Sequence, residues 1–119
     1  MKKFLLIGLS VVCVSLPATA RAASEWMSSA DIMRELVDQE LSFRGKRSGK
    51  ITYHKSGQMR MLSGKGRAIF GKWRIDGESD RICSRVTQRK TAREFCYRTR
   101  HDGFGYRTDQ GYKLMPLRF

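Results

Sequence analysis

The side chains of this 119-residue chain that could do chemistry are two histidines, three cysteines and many cations. A histidine with a carboxylate and several arginines is the set that a small basic secreted ribonuclease would use for proton transfer and phosphate binding. His54 and His101 each lie beside a predicted turn, and we expect Glu94 to pair with Arg85 instead. Proton transfer needs groups that converge, and no spacing here brings such groups together. We therefore predict no catalytic residues and no enzyme, with a ribonuclease as one alternative.

The first 22 residues have the pattern of a cleaved secretory signal peptide. Lys2 and Lys3 precede an apolar run from Phe4 to Leu16. The small residues that follow permit cleavage after Ala20, Ala22 or Ala23. The run is shorter than the roughly 20 residues that cross a membrane, so we expect no transmembrane helix once it is removed. The sequence thus predicts an exported protein, periplasmic or extracellular, with residues 23–119 as a single β-rich domain.

The cysteines predict one disulfide. Signal cleavage would remove Cys13 and leave Cys83 and Cys96, and an even pair in an exported chain is typical of a structural bridge. Two histidines and a single cysteine pair do not make a zinc site, so we predict no metal and no cofactor.

Charge is distributed unevenly along the chain. The formal net charge is +13, yet five acids stand before Leu41, and from there onward 20 lysines and arginines stand against six acids. A field of this sign attracts polyanions. For an exported protein these would be acidic polysaccharide, lipopolysaccharide or anionic lipid, and we do not expect nucleic acid as the partner.

The apolar pattern first has a helical period and then a strand period. Ser28 is placed to cap a helix, and apolar residues recur at helical spacing after it. These are Ile32, Met33, Leu36, Val37 and Leu41. From Lys50 the period is two, and Lys55–Gly57 suits a hairpin loop that places Tyr53 opposite Met59. We predict an α+β domain in which an N-terminal helix precedes an antiparallel meander of about six to eight strands, strongly curled or closed as a small barrel.

The two cysteines also predict a strand register. If Cys83 lies opposite Cys96, then Arg85 faces Glu94 and Arg89-Lys90 forms a two-residue turn. One face of these strands is then apolar and forms the core, with Trp73, Ile75, Ile82, Phe95 and Tyr97. The opposite face carries the predicted anion-binding residues Lys72, Arg74, Arg81, Arg85, Arg98 and Arg100. We therefore expect the aromatic side chains in the core rather than on a stacking platform for nucleic acid.

These motifs resemble domain-of-unknown-function family 995, a family of small exported proteobacterial proteins. The matching segments are Leu36-Val37, Tyr53 to Gly57, Gly71-Lys72-Trp73, Cys83, Cys96 and Asp102-Gly103. The chain departs from the family pattern at Asp38-Gln39, where Gly-Asn is expected. The resemblance implies export and a compact β-rich fold, and it implies no activity.

Together these features predict non-catalytic binding of an anionic component of the cell envelope. Arginine favours bidentate contacts with phosphate and carboxylate, which suits such a ligand. A module that binds an acidic protein of the periplasm or of a host is the alternative.

Overall fold

The computed structural model describes residues 25–117, so the predicted signal peptide at 1–22 lies outside the described residues. One short helix, α1 (Ser29–Glu35), comes before all the strands. Nine strands follow: β1 (Glu40–Arg44), β2 (Ser48–Tyr53), β3 (Gln58–Ser63), β4 (Ala68–Asp76), β5 (Arg81–Val86), β6 (Phe95–Tyr97), β7 (Thr99–Asp102), β8 (Gly105–Thr108) and β9 (Lys113–Pro116). No helix in this part of the chain is long and apolar enough to cross a membrane.

All nine strands belong to one antiparallel sheet that curls into a nearly closed barrel. Neighbours in the sheet are neighbours in the chain, except that β1 pairs with β9. The two outermost strands are β6 and β7, and only Arg98 separates them in the chain. Residues 95–102 are thus one bent run that pairs first with β5 and then with β8, which brings the two edges of the sheet together.

The barrel has an open end and a closed end. Antiparallel strands return the chain to alternate ends, so four turns share the open end. They are residues 45–47, 64–67, 87–94 and 109–112. Helix α1 packs at the other end, where the Ser29 backbone N donates to Asp80 Oδ1 in the β4–β5 turn at 2.9 Å. Ile32 and Leu36 are fully buried in the core there, so this segment closes the barrel.

The β2–β3 hairpin has the predicted register. Tyr53 lies opposite Met59, and Ile51 lies opposite Met61. Gly57, in the turn between them, has a φ of 96°. Side chains with a Cβ rarely adopt this left-handed conformation, which explains the glycine.

The helix is shorter than predicted, and the strands are more numerous. Helix α1 ends at Glu35, and Asp38 has a φ of 64°, which turns the chain away from the helical path. Leu41 therefore belongs to β1 rather than to a helical stripe, and the sheet has nine strands rather than the six to eight predicted. Met33, placed in the same stripe, is 42% exposed. The helix also starts at Ser29, within the chain rather than at its N-terminus.

The predicted disulfide is confirmed. Cys83 on β5 lies opposite Cys96 on β6, and the two are bonded. The alternation along both strands turns this bridge away from the barrel interior, and Cys83 is buried there, between the bent β6 and the rest of the sheet.

The connection between β5 and β6 differs from the prediction. The two-residue turn expected at Arg89-Lys90 is wrong, because the longer loop 87–94 joins these strands. The first residues of this loop continue alongside β4 instead of turning toward β6. The Phe70 backbone N donates to Gln88 Oε1 at 3.2 Å, and the Thr87 backbone N donates to Phe70 O at 3.0 Å.

The core fills the barrel interior nearest the helix. Of the residues predicted for it, Ile82 and Tyr97 are buried, and Trp73 and Ile75 pack against the core while partly buried. Phe95, also predicted for the core, is instead 45% exposed. Phe95 faces inward, but it starts β6 at the open end, where no helix covers it.

Candidate functional site

The six predicted anion-binding residues do not form one surface. The outer surface of β4 and β5 carries Lys72, Arg74 and Arg85. Two others, Arg81 and Arg98, lie beside the bend between β6 and β7, and Arg100 lies on β7.

Two residues of the first group, Lys72 and Arg85, belong to a larger cationic surface, the outer-wall patch, which we define as Lys50, Arg60, Lys72 and Arg85. Lys72 on β4 lies directly opposite Arg85 on β5, and Arg60 on β3 and Lys50 on β2 continue the same outer surface. All four residues are exposed. No ion pair joins any of them to a carboxylate among residues 25–117. Phe70 lies opposite Arg60 within this patch and is 47% exposed.

Arg74 borders the outer-wall patch, but its charge is already paired. Its Nε and Nη2 donate to the two carboxylate oxygens of Glu94, each at 2.9 Å. These hydrogen bonds lower the pKa of Glu94 and raise the pKa of Arg74. The partner predicted for Glu94 was Arg85, and this is wrong, because Glu94 lies in the loop before β6 and leaves the strand register on which the prediction depended.

Arg81 and Arg98 lie at the bend where the barrel closes. Asp109, from the β8–β9 turn, accepts a hydrogen bond from the Arg98 backbone N at 2.9 Å and one from Arg81 Nη1 at 3.2 Å. The Nε of Arg98 is buried and has no hydrogen-bond partner within the described part of the chain. Both arginines therefore contribute to joining β5 and β6 to the β8–β9 side of the barrel.

Arg100 faces a different surface. Its guanidinium lies 5.4 Å from the centre of the Trp26 ring, and a β-bridge joins the same two residues. On the same strand, Asp102 accepts hydrogen bonds from Lys113 on β9 at 3.2 Å and from Arg107 on β8 at 3.0 Å. Lys113 and Arg107 together lower the pKa of Asp102. Each of these cations thus has an interaction partner, either an aromatic ring or a carboxylate, unlike the cations of the outer-wall patch.

The two histidines have separate surroundings. His101 Nε2 is hydrogen-bonded to Glu35 Oε1 at 2.7 Å, and the Tyr106 hydroxyl donates to the same oxygen at 3.1 Å. This cluster, which the sequence did not reveal, ties the end of α1 to β7 and β8. The carbonyl oxygen of His54 accepts a hydrogen bond from Trp73 Nε1 at 2.6 Å. Within residues 25–117 the histidines share no partner.

One group of side chains has ligand atoms close enough for a metal ion. Cys83, Glu94 and Cys96 each place one such atom within 4.8 Å of the others. Both sulfur atoms are bonded to each other, so neither is available as a thiolate while the disulfide is intact.

The barrel also contains a cavity that the sequence did not reveal. It has a volume of about 420 Å³, and apolar side chains from the strands form most of its wall. Tyr53 and Tyr97 form its floor, with their hydroxyls hydrogen-bonded to each other, and burial raises the pKa of both phenols. Lys46, Arg47 and Arg93 line its mouth at the open end. No local motif marks these positions, because the cavity exists only once the barrel has closed.

No family model matches this chain. No curated protein and no solved structure matches it either. Membership of family 995 stays a prediction, and function has to be inferred from the geometry of the described residues.

Proposed function

We propose that the protein binds an anionic polymer of the bacterial cell envelope, an acidic polysaccharide or lipopolysaccharide, without catalysing a reaction. The binding surface is the outer-wall patch, and the protein acts after export to the periplasm or the medium. The observation that carries this proposal is the cross-strand pair of Lys72 and Arg85, two cations directly opposite each other without a paired carboxylate.

Like charges directly opposite each other on a sheet lower its stability. Glu94 is close enough for the charge of Arg85 to help lower its pKa, but its hydrogen bonds and its ion pair are with Arg74. A bound polyanion would supply the missing negative charge. The patch extends over four neighbouring strands, so a polymer would meet several cations at once.

The disulfide supports the place of action. Structural bridges persist in oxidising compartments such as the periplasm and the extracellular medium. The bridge between Cys83 and Cys96 joins β6 to β5, the strand that carries Arg85, so it also fixes this edge of the patch.

The test removes two charges from the patch and two from elsewhere. The variant Lys72→Ala/Arg85→Ala is compared with Lys55→Ala/Lys65→Ala, whose lysines lie in exposed turns outside the patch. The probes are alginate and purified lipopolysaccharide, and the oxidised protein is titrated at several salt concentrations. We expect the patch variant to bind about tenfold more weakly, equivalent to about 1.4 kcal/mol. Its salt dependence should also be shallower, because fewer ionic contacts are left to screen.

The control pair should change the affinity by less than about twofold. Equal weakening by both pairs would show that the net charge alone attracts the probes, and the outer-wall patch would then not be a site.

An acidic protein partner is a second candidate, and Phe70 is the observation that favours it. An exposed aromatic side chain surrounded by cations is typical of a protein interface, where aromatic residues and arginine are enriched. If Phe70→Ala leaves alginate and lipopolysaccharide binding unchanged but abolishes the cross-linking of an acidic envelope protein, the partner is that protein.

A further inference from the structure

We propose that the barrel interior is a second binding site, for an anionic amphiphile: a single apolar chain with a carboxylate or phosphate head. The chain would occupy the cavity and the head would lie among the arginines at the mouth. This site goes beyond the proposed function and does not depend on the outer-wall patch.

The size and wall of the cavity suit a small apolar chain. A volume of about 420 Å³ lies within the range of about 300–1,000 Å³ that small-molecule sites usually have. Phe43, Ile51, Met59, Met61 and Leu114 are among the side chains that line it. Methionine is unbranched and adaptable, so a wall that contains two of them can adjust to a flexible chain.

The mouth of the cavity lies at the open end of the barrel. Helix α1 closes the opposite end, with Ile32 and Leu36 fully buried beneath the barrel. At the floor the hydroxyls of Tyr53 and Tyr97 are hydrogen-bonded to each other, so each has a partner without a polar ligand group. An amphiphile would therefore enter with its apolar end first and leave its head outside.

The mouth is cationic. Lys46 and Arg47 come from the β1–β2 turn and Arg93 from the loop 87–94. A second cavity of about 540 Å³ adjoins the first, shares Arg47 and Arg93 with it, and adds Arg67 and Arg89. None of these five cations forms an ion pair with a carboxylate among the described residues. The planar fork of arginine matches both carboxylate and phosphate, so the mouth favours an anionic head.

The aromatic rings of Phe95 and Tyr112 at the same end support a partly apolar ligand. Phe95 is 45% exposed, and Phe95 and Tyr112 both line the cavity. A chain seated in the barrel would cover part of these rings. A polysaccharide could not enter this cavity, whereas a neutral hydrocarbon would leave the cations of the mouth without a counter-charge.

The first test varies the ligand. The oxidised protein is titrated by calorimetry with octanoate, decanoate, dodecanoate and hexadecanoate, each below its micelle concentration. The affinity should rise about fourfold per added methylene, because each buried methylene contributes favourably, until the cavity is full. Dodecyl phosphate should bind like dodecanoate, dodecanol more weakly, and dodecyltrimethylammonium not at all. An affinity that does not depend on chain length, or equal binding of the ammonium compound, would overturn the proposal.

The second test varies the protein. Arg47→Ala/Arg93→Ala should weaken dodecanoate binding about tenfold or more. Lys72→Ala/Arg85→Ala, which removes the same charge from the outer-wall patch, should leave dodecanoate binding unchanged. Met61→Trp should fill the cavity and abolish binding while circular dichroism shows a folded barrel. If that variant does not fold, the two double variants Arg47→Ala/Arg93→Ala and Lys72→Ala/Arg85→Ala decide, and equal weakening of dodecanoate binding by both would overturn the proposal.

A third comparison distinguishes the source of the amphiphile. Phosphatidylglycerol vesicles present the same anionic head with its chains held in a bilayer. Co-sedimentation of the wild type with these vesicles that excess dodecanoate reverses would show that the site takes an acyl chain from a membrane. Displacement of bound dodecanoate by lysophosphatidic acid, without co-sedimentation with vesicles, would show that it takes free single-chain amphiphiles. Both results support the site, and failure of dodecanoate to bind in the first place overturns it.

Discussion

The outer wall and the interior of the barrel are built by the same strands, yet they have opposite chemistry. On β4 and β5, Lys72 and Arg85 face outward while their neighbours Trp73 and Ser84 face inward. The alternation of the strand separates the two sets completely. Charge without a cavity suits a long ligand that stays on the surface, whereas an apolar cavity suits a ligand that is enclosed.

The mouth shows that charge alone does not define a ligand. The mouth and the outer-wall patch are both cationic, and neither is paired with carboxylates among residues 25–117. They differ in what lies beneath them. Below the patch is a sheet, and below the mouth is a cavity of about 420 Å³. The two cationic regions therefore select different ligands, a polymer and an amphiphile.

The largest expected effect is a difference in stability between variants of Trp73 and Lys72, two neighbouring residues of β4 that face the interior and the outer wall. Trp73 packs against Tyr53 with ring centres 5.5 Å apart, and its Nε1 donates to the His54 carbonyl oxygen. Trp73→Ala should lower the free energy of unfolding by about 3–5 kcal/mol, as removal of a packed aromatic does. Lys72→Ala should change it by less than about 0.5 kcal/mol. Urea unfolding of both variants measures this. A Trp73→Ala variant that is as stable as the wild type but has lost ligand binding would reverse the assignment of inside and outside.

The disulfide is the next largest effect, and it concerns the outer wall alone. Cys83→Ser/Cys96→Ser should lower the free energy of unfolding by about 3 kcal/mol, because the bridge closes a loop of 13 residues' separation in the unfolded chain. Thermal unfolding with and without reductant checks it. Reduced wild type should match the double variant. If reduction leaves the melting temperature unchanged, the bridge does not hold β6 to the sheet.

The smallest effect is a dependence of the free energy of unfolding on acid pH, to which carboxylates of the outer surface should contribute and the tyrosines of the interior should not. Hydrogen bonds from Arg74 lower the pKa of Glu94 below its ordinary 4.5, and Lys113 with Arg107 lowers that of Asp102 below 3.8. A lowered carboxyl pKa adds stability above the ordinary value, and this stability is lost as the pH falls through the lowered one.

Unfolding of the wild type from neutral pH down to acid measures this. Glu94→Gln and Asp102→Asn should flatten the acid limb of the stability curve. Tyr53 and Tyr97 should contribute nothing there, because burial raises the pKa of both phenols away from this range. A Tyr53→Phe variant with a changed acid limb would contradict the separation of the two regions.

The hairpins could be predicted from the sequence because their signals are local. The register of Tyr53 opposite Met59 follows from a turn and from two short alternating strands. The register of Cys83 opposite Cys96 follows from the disulfide expected between them. Leu41 could not be assigned in this way. It fits both the helical spacing from Met33 and Val37 and the alternation of β1, and the pairing of β1 with β9 decides between them.

The cationic face was predicted only in part for a similar reason. Alternation placed Lys72 and Arg85 on the outside, but it treats each strand as if it continued straight. The bend at Arg98 moves Arg100 to another surface, and the loop 87–94 directs Glu94 to Arg74. Alternation predicts that Phe95 points inward, but it does not predict that Phe95 lies at the open end, where it is exposed.

The pairing of β1 with β9 determines when the barrel can be completed. Every other pair of neighbours in the sheet is consecutive in the chain, so those hairpins can form one after another as the chain emerges. β1 forms early but keeps an unpaired edge until β9 is available, and an unpaired edge invites association with other chains. Closing the ring joins residues 41–44 to 113–116, which is the slowest kind of contact to find. Among the described strands, β9 is therefore the one that covers the edge of β1.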